Sequence, residues 1–541
     1  GFSDNLLATQ LDDSDYENNV TILSGDIGQD DVVDEDGVVV NYADMNGTNS
    51  KTLVKDTENT HGFTLQGLTI NAASSKNYVG GIDLRYSGAT LKNLTVVALK
   101  GGWGAAISTR SVIDCDVFVM ENIIVRNTYS YSSGTVYIND TQCTSMELNQ
   151  LLLEGNSSSA ILHVSLALPM TINGLTINNS PLATGLSYAG WDDDLLVLEN
   201  AVINSTNTAI RVLDGNFSIK NVTLTNNKEA LNTLNSSYVS GSNLTVVANE
   251  NAETLDIINM QGSSTLLLSH SLIAGNKMDG AENNFVLLES ARIIDNGYNI
   301  IGAAGSSGYV FADGLQTFSQ AFNSGTSFTA TQQIDEIIAS VLTNNGGWSK
   351  TLMPVINSPL INAIPLVNCN LQSDQRGYAR PYENLCDIGA IEVQLDTDND
   401  GIENFMDTDD DNDGLDDNDD TYPLISIVGN TDSDADGAPD DCDAVCQATG
   451  MAADNDDDND GVTDENDSDP LDPDVFDSIA PVVAVPENIV VAAIDENGVS
   501  ALNDAIALFL SLATASDNRD GIVTGITHDA PALFPLGNTL V

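Results

Sequence analysis

Gly67-Leu68-Thr69-Ile70, Asn93-Leu94-Thr95-Val96, Asn122-Ile123-Ile124-Val125 and Gln150-Leu151-Leu152-Leu153 are one tetrapeptide pattern written four times. It continues as Gly174-Leu175-Thr176-Ile177, Ala201-Val202-Ile203-Asn204, Asn221-Val222-Thr223-Leu224 and Asn243-Leu244-Thr245-Val246. Ser271-Leu272-Ile273-Ala274 and Ala291-Arg292-Ile293-Ile294 complete it. Second positions recur 20 to 29 residues apart. Another short strand precedes each copy, as in Met146-Glu147-Leu148 or Phe217-Ser218-Ile219. Alternation of apolar and polar residues marks such strands as half-buried. Two or three short strands per ~25 residues, with no helical crossover, describe one coil of a right-handed parallel β-helix. A β-sandwich would instead carry turn signals every ~8–12 residues and no fixed ~25-residue period.

Asn127, Asn156, Asn179, Asn226, Asn249, Asn276 and Asn296 follow second strands. Asn tolerates the left-handed backbone of a tight corner, and stacked Asn amides bond between coils. Ten coils at ~4.8 Å spacing predict a rod ~50 Å long. The repeat fades after Ile301, where Ile334 to Leu342 reads as a short helix. The irregular stretch 300–395 is expected to cover the open end of the rod, since bare strand edges invite aggregation.

The chain has 541 residues, with 17 Lys plus Arg against 79 Asp plus Glu, a net charge of −62. Such a polyanion repels phosphate backbones and anionic headgroups, which excludes nucleic acid as a partner. The apolar run Ala505 to Ala515 is too short to span a bilayer, which takes ~20 residues. Apolar content of 42% is ample for a folded core. Six cysteines form three local couples, Cys115 with Cys143, Cys369 with Cys386 and Cys442 with Cys446. With no C-x2-C spacing, they read as three disulfides of an oxidising, extracellular compartment. A chain starting at Gly1 without Met reads as a processed or partial form.

Thirty of the acidic residues lie between Asp396 and Asp474, and no Lys or Arg occurs between Arg380 and Arg519. Boundaries near 395 and 477 follow, giving segments 1–395, 396–476 and 477–541. The acidic segment repeats the spacing D-x-D-x-D-G-x-x-[DN]-x-x-D four times. The copies are Asp396, Asp398, Asp400, Asn404, Asp407; Asp409, Asp411, Asp413, Asp417, Asp420; Asp432, Asp434, Asp436, Asp440, Asp443; and Asp456, Asp458, Asp460, Asp464, Asp467. Gly401, Gly414, Gly437 and Gly461 supply the sharp turn. Alternating carboxylates around such a turn wrap oxygens about a hard cation of Ca²⁺ size, whereas Mg²⁺ keeps its waters. An EF-hand would need a Glu at position 12 and flanking helices, and neither is present. The competing reading is a disordered acidic linker.

Three family resemblances rest on particular residues. Thr21-Ile22-Leu23-Ser24-Gly25-Asp26-Ile27, Gly62-Phe63-Thr64-Leu65, Asn344-Asn345-Gly346-Gly347 and Ser358-Pro359-Leu360-Ile361-Asn362-Ala363 resemble the choice-of-anchor β-helix domains of bacterial surface proteins. Asp374-Gln375-Arg376-Gly377, Arg380-Pro381 and Cys386-Asp387-Ile388-Gly389-Ala390-Ile391-Glu392 add to that resemblance. Members of that family carry further coils ahead of such a start, so Gly1 resembles an internal start. The acidic repeat resembles thrombospondin type 3 repeats. Ala480-Pro481, Val485-Pro486-Glu487-Asn488-Ile489, Ala515 to Gly521 and Phe534-Pro535-Leu536-Gly537 resemble a hyalin-repeat (HYR) module, an immunoglobulin-like sandwich that continues past this last motif. Together these imply a calcium-dependent bacterial surface or adhesive protein, secreted or cell-surface, with glycans, cell surfaces or like subunits as partners.

Parallel β-helices also act on polysaccharides. A lyase needs a Lys or Arg base beside carboxylates, and a hydrolase needs two carboxylates at a set separation. The cluster Trp191-Asp192-Asp193-Asp194 has no basic partner nearby, and Arg211, Lys220 and Arg292 fall in different coils. His61, His163, His270 and His528 are scattered, and no nucleophile elbow or phosphate loop occurs. Trp103 and Trp191 read as packing residues or as a sugar-binding surface. The expectation is a non-enzymatic scaffold or adhesin. A carbohydrate-active β-helix and a protomer of a homopolymeric fibre remain as alternatives.

Overall fold

The computed structural model describes residues 21–541 except 36, 56–62, 86–87, 111–114, 140–142, 166–168, 191–193, 252–256, 283–285, 288–289, 305–317, 356, 383, 395, 399, 401, 405–406, 468, 474–480 and 518–520. The chain divides into two compact units, Gly1–Gln394 and Leu395–Val541.

The first unit is a parallel β-solenoid. Long strands such as Phe63–Asn71, Ala89–Val97, Cys115–Arg126, Cys143–Glu154 and Met170–Asn178 stack in sequence order into a thirteen-stranded sheet. Shorter strands, among them Ile107–Arg110, Gly134–Asn139, Ala160–Ser165 and Thr206–Val212, stack into a ten-stranded sheet. The paired short strands of the sequence are mostly one strand with a bend. At the bend sit Gly67, Asn93, Asn122, Gln150, Gly174, Asn200, Asn221 and Asn243, all at positive φ between 51° and 77°. Gly and Asn are the residues that bear this backbone at least cost. Between the sheets a column of Ile, Leu and Val is stripped of solvent, including Leu94, Ile123, Leu151, Leu175, Val222 and Leu244.

Register corrects three tetrapeptides. Leu68, Leu94, Ile123, Leu151 and Leu175 occupy one column as expected. Val202 pairs with Thr176 and Leu272 with Thr245, so Ala201 and Ser271 hold the second position rather than Val202 and Leu272. Arg292 pairs with Thr265, ahead of the bend, and the matching strand of that coil is Ile300–Ile301. Small residues at the expected apolar position shift the hydrophobic pattern by one, which is invisible without the pairing.

The Asn residues form two kinds of ladder. Asn127, Asn179 and Asn226 adopt positive φ, as corner residues should. On the outer surface Asn122 bonds Asn93 at 2.8 Å, and Asn226, Asn204 and Asn178 form a chain. Inside, Asn227 donates to Asn249 at 3.0 Å and Asn249 to Asn276 at 2.9 Å. Each inner amide also accepts the backbone N–H of a neighbouring coil and donates to a strand carbonyl. Asn156 serves Thr128 in the same way, whereas Asn296 joins neither ladder through a described side-chain bond. Asn249 is fully buried. Asn249→Ala is therefore expected to cost about 2–4 kcal/mol, because the Asn227 N–H is left buried and unpaired. Thermal unfolding of the variant, with a Tm equal to the parent's, would contradict the inner ladder's role.

The closing region departs from expectation. The helix foreseen at Ile334 to Leu342 is only the 3₁₀ turn Ile334–Glu336, in which the Glu336 carboxylate accepts the Gln333 N–H at 2.8 Å. Within the closing region, Phe328 pairs with Ile300 on the last described coil, whereas 332–394 runs back along the flank of the coils. Gln375 accepts the Thr223 hydroxyl at 2.6 Å, Ala390 N–H donates to Thr245, Gly389 N–H donates to the His270 carbonyl, and Trp348 packs near Gly174. A second core, with Leu272, Ile337, Leu352, Leu360 and Ile388, forms between flank and coils. Ala321 and Phe322, beside the last coils, join the main core instead.

All three cysteine couples are disulfides. Cys115 and Cys143 face each other on adjacent strands, and Cys369–Cys386 ties the closing region. Arg376 is buried, with Nε on Asp374 at 2.9 Å, one terminal nitrogen on the Glu392 carbonyl at 2.7 Å and the other on Asn345 O at 3.1 Å. Arg380 holds Glu392 at 2.8 Å and the carbonyls of Asp387 and Gly389. The Arg forks therefore bond carboxylates and backbone carbonyls, on the flank rather than at the rod end.

His270 occupies the bend position of its coil, at φ 54°, against this cluster. Burial, then the Arg380 charge, pushes its pKa down to about 4. Asp387 is pushed up to about 7 by burial and by the Glu392 charge. The two have opposite linkage. Neutral His270 contributes stability present at neutral pH and lost as pH falls from ~6.5 toward 4, whereas Asp387 costs stability as pH rises from ~4 to 7. His270→Asn restores the residue used at other bends and removes only the first contribution. Relative to the parent, the variant should gain about 2 kcal/mol between pH 8 and pH 5. Chemical denaturation at the two pH values checks it, and a constant difference would refute it.

In the second unit, Val482–Ala484, Thr514–Asp517 and Gly521–Val523 form an antiparallel three-stranded sheet, and Val499–Ser500 pairs Leu533–Phe534. Helix Asp504–Leu510 is capped by Asn503. Val490, Leu502, Ile522 and Leu540 are exposed, and among the described residues of 481–541 only Val499, Ile506 and Ala515 are buried apolar ones.

Candidate metal centre

The four acidic repeats share one local construction. In the second, Asp409 accepts the N–H groups of Asp413 at 3.2 Å and Gly414 at 3.0 Å, and Asp413 accepts Leu415 N–H. Asp432 and Asp456 accept Gly437 and Gly461 in the same way. Gly414, Gly437 and Gly461 have φ of 104°, 87° and 92°, which is why the sixth position is glycine. Gly401 lies outside the described residues.

This turn brings positions 1, 3 and 5 together. One oxygen each from Asp396, Asp398 and Asp400 converges within 4.8 Å, as it does for Asp409, Asp411 and Asp413, for Asp432, Asp434 and Asp436, and for Asp456, Asp458 and Asp460. Position 9 does something else. Asn404, Asp417, Asp440 and Asp464 each accept the N–H of position 2, at 2.9, 2.8, 2.9 and 3.0 Å, clamping the loop shut. Position 12 caps the next turn: Asp407 accepts Asp409 N–H, Asp420 accepts Tyr422 N–H, Asp443 accepts Val445 and Cys446 N–H, and Asp467 accepts Asp469 N–H. Repeats also touch, through Asn412 on Asp398 at 2.6 Å and Thr421 N–H on the Asp436 carbonyl.

Several carboxylate oxygens within these loops are buried and have no hydrogen-bond partner among the described residues. They include both Oδ atoms of Asp411 and one each of Asp434, Asp456, Asp458, Asp460 and Asp467. Asp411 and Asp458 are only 9% and 7% exposed. Burial, and then the charges of Asp413 and Asp420, pushes Asp411 up to about 6. Asp434 is likewise pushed to about 6 by burial and by Asp436. Buried, mutually repelling and unpaired carboxylates are unfavourable alone, and they are the donor set a hard dication satisfies. The residues fit such an ion.

A fifth cluster, Asp26, Asp30 and Asp31, lies in the solenoid. Sequence reasoning missed it because its spacing does not alternate; its oxygens already accept N–H groups from Asp30, Asp31 and Asn46. The enzyme candidates stay apart. Lys220 is paired with Glu199 at 2.7 Å, Arg292 donates to Thr265, and Arg211 lies on the other sheet. His163 stacks on Tyr137. His528 is exposed in the second unit. Residues 191–193 and His61 lie outside the described residues.

No family model, curated protein or solved structure matches the chain. Among the described residues, no helix is long and apolar enough to cross a membrane. The class defined by fold and site is a mostly β protein with a disulfide-bonded parallel β-solenoid and a run of Asp-rich loops.

Proposed function

We propose that the chain is a structural or adhesive protein of the bacterial cell exterior, a β-helical rod followed by calcium-ordered thrombospondin type 3-like repeats over 396–476 and an HYR-like, immunoglobulin-type module over 477–541. The observation that carries this reading is the convergence of Asp oxygens in four copies of one loop, three of which hold buried oxygens without a hydrogen-bond partner among the described residues around a glycine turn. Asp396, Asp398, Asp400, Asp409, Asp411, Asp413, Asp432, Asp434, Asp436, Asp456, Asp458 and Asp460 are the ligands in this proposal. The position-9 residues act as clamps, and the position-12 carboxylates cap the following turn. Three disulfides favour an oxidising compartment. Metal analysis after gel filtration in millimolar CaCl₂ tests it: several calcium ions should travel with each chain and fewer with an Asp411→Asn, Asp413→Asn variant. A chain that carries none would overturn the reading.

A further inference from the structure

The outer face of the ten-stranded sheet carries one polar column, Asp83, Ser108, Tyr137, His163, Ser187 and Arg211, brought into line by register. An aromatic strip lies on it. Tyr137 stacks on His163 with centroids 4.9 Å apart and parallel within 10°, and Trp103 meets the Tyr137 ring edge-on at 6.4 Å. Trp103 is 46% exposed. Its indole is therefore open to a ligand from solvent.

The loop that presents Trp103 is built for it. A Cβ at Gly102 would sit 2.3 Å from the Lys76 carbonyl oxygen, one at Gly101 2.6 Å from Ala105 Cα, and Gly104 has φ 72° with Ser108 Cβ in the way. Only glycines let this turn lie flat on the sheet. Beside the strip, Asp83 is 1% exposed and holds Arg85 at 2.8 Å and Arg110 at 3.1 Å. The buried Ser108 Oγ and Arg110 Nε have no hydrogen-bond partner among the described residues. The stacked Tyr137 and His163 rings cover each other's faces, so the ring face on offer is the half-exposed indole of Trp103. An indole face flanked by polar ring edges and fixed guanidinium groups suits a sugar ring, which stacks its C–H face and bonds through its hydroxyls. The charge decides which sugar. Asp83 already engages both guanidinium groups, and a chain of net charge −62 opposes a polyanion.

We infer that this face, centred on Trp103, Tyr137 and His163, binds a neutral polysaccharide. The inference deepens the adhesive reading by giving it a ligand class. It rests on the solenoid alone, so its test is run in EGTA, where a failure of the calcium reading cannot disturb it.

Affinity electrophoresis of the whole chain through gels containing mixed-linkage β-glucan, xylan, galactomannan or dextran, with alginate as the anionic arm, tests the inference. At least one neutral polysaccharide should retard the parent. Trp103→Ala should weaken that retardation at least about tenfold, with an unchanged melting temperature because Trp103 is half-exposed. Tyr238→Ala, a surface aromatic of the other sheet, should leave it unchanged. Retardation by none of the neutral gels, by alginate alone, or equally for Trp103→Ala and the parent would overturn the inference.

Discussion

Chelation of calcium is expected to open residues 396–472 to proteolysis while the solenoid stays intact. The segment holds two glutamates, Glu403 and Glu465, and no Lys or Arg, so a Glu-specific protease reads it cleanly. Glu403 is only 5% exposed, so cleavage there needs the loop to open. Apolar burial cannot hold the segment: among its described residues Ile427, Ala438, Cys446 and Met451 are the buried apolar ones. The carboxylates work against it, since folded pKa values near 6 for Asp411 and Asp434 lie above those of an unfolded chain. Without an ion, the compact form therefore loses stability as pH rises from ~4 to 6, and neutral pH is where it is weakest. A site with a Kd of ~10⁻⁴ M gains about 2 kcal/mol at 2 mM calcium, and four such sites gain about 7 kcal/mol. Peptide mapping should find cleavage after Glu403 in EGTA and none in calcium. Equal cleavage in both would remove the calcium reading.

Arg376→Ala is expected to destabilise the first unit by about 3–5 kcal/mol, more than the loss of its hydrogen bonds alone. Arg376 and Asp374 side chains are both fully buried, so truncation leaves Asp374 as an uncompensated charge. The guanidinium also joins three segments, through Asn345 O, Asp374 and Glu392 O, and stacks 4.6 Å from the Tyr378 ring. Adding Asp374→Asn should return part of the loss, which a merely steric role would not do. Differential scanning calorimetry of the two variants measures both. A melting temperature within a degree of the parent's for Arg376→Ala would mean that the flank is not held by this cluster.

The solenoid was legible because its physics is local and periodic. Each coil repeats the same apolar column, and its bends need Gly or Asn, so both leave marks at ~25-residue intervals. The acidic loops were legible for the same reason: carboxylates two residues apart and a glycine at the sixth place are a backbone recipe. Sequence alone therefore determined the solenoid, the cysteine couples and the convergence of positions 1, 3 and 5. Tertiary structure decided the rest. A one-residue register choice moved Ala201 and Ser271 into a column that composition gives to Val202 and Leu272. That position 9 bonds the N–H of position 2 was not legible, because a clamp and a ligand are the same residue type at the same spacing. The path of 332–394 along the flank depends on contacts such as Thr223 with Gln375, 152 residues apart. The Trp103 platform needed three coils in register before its aromatic rings could meet. Contacts between distant segments carry no period, and so only the folded chain displays them.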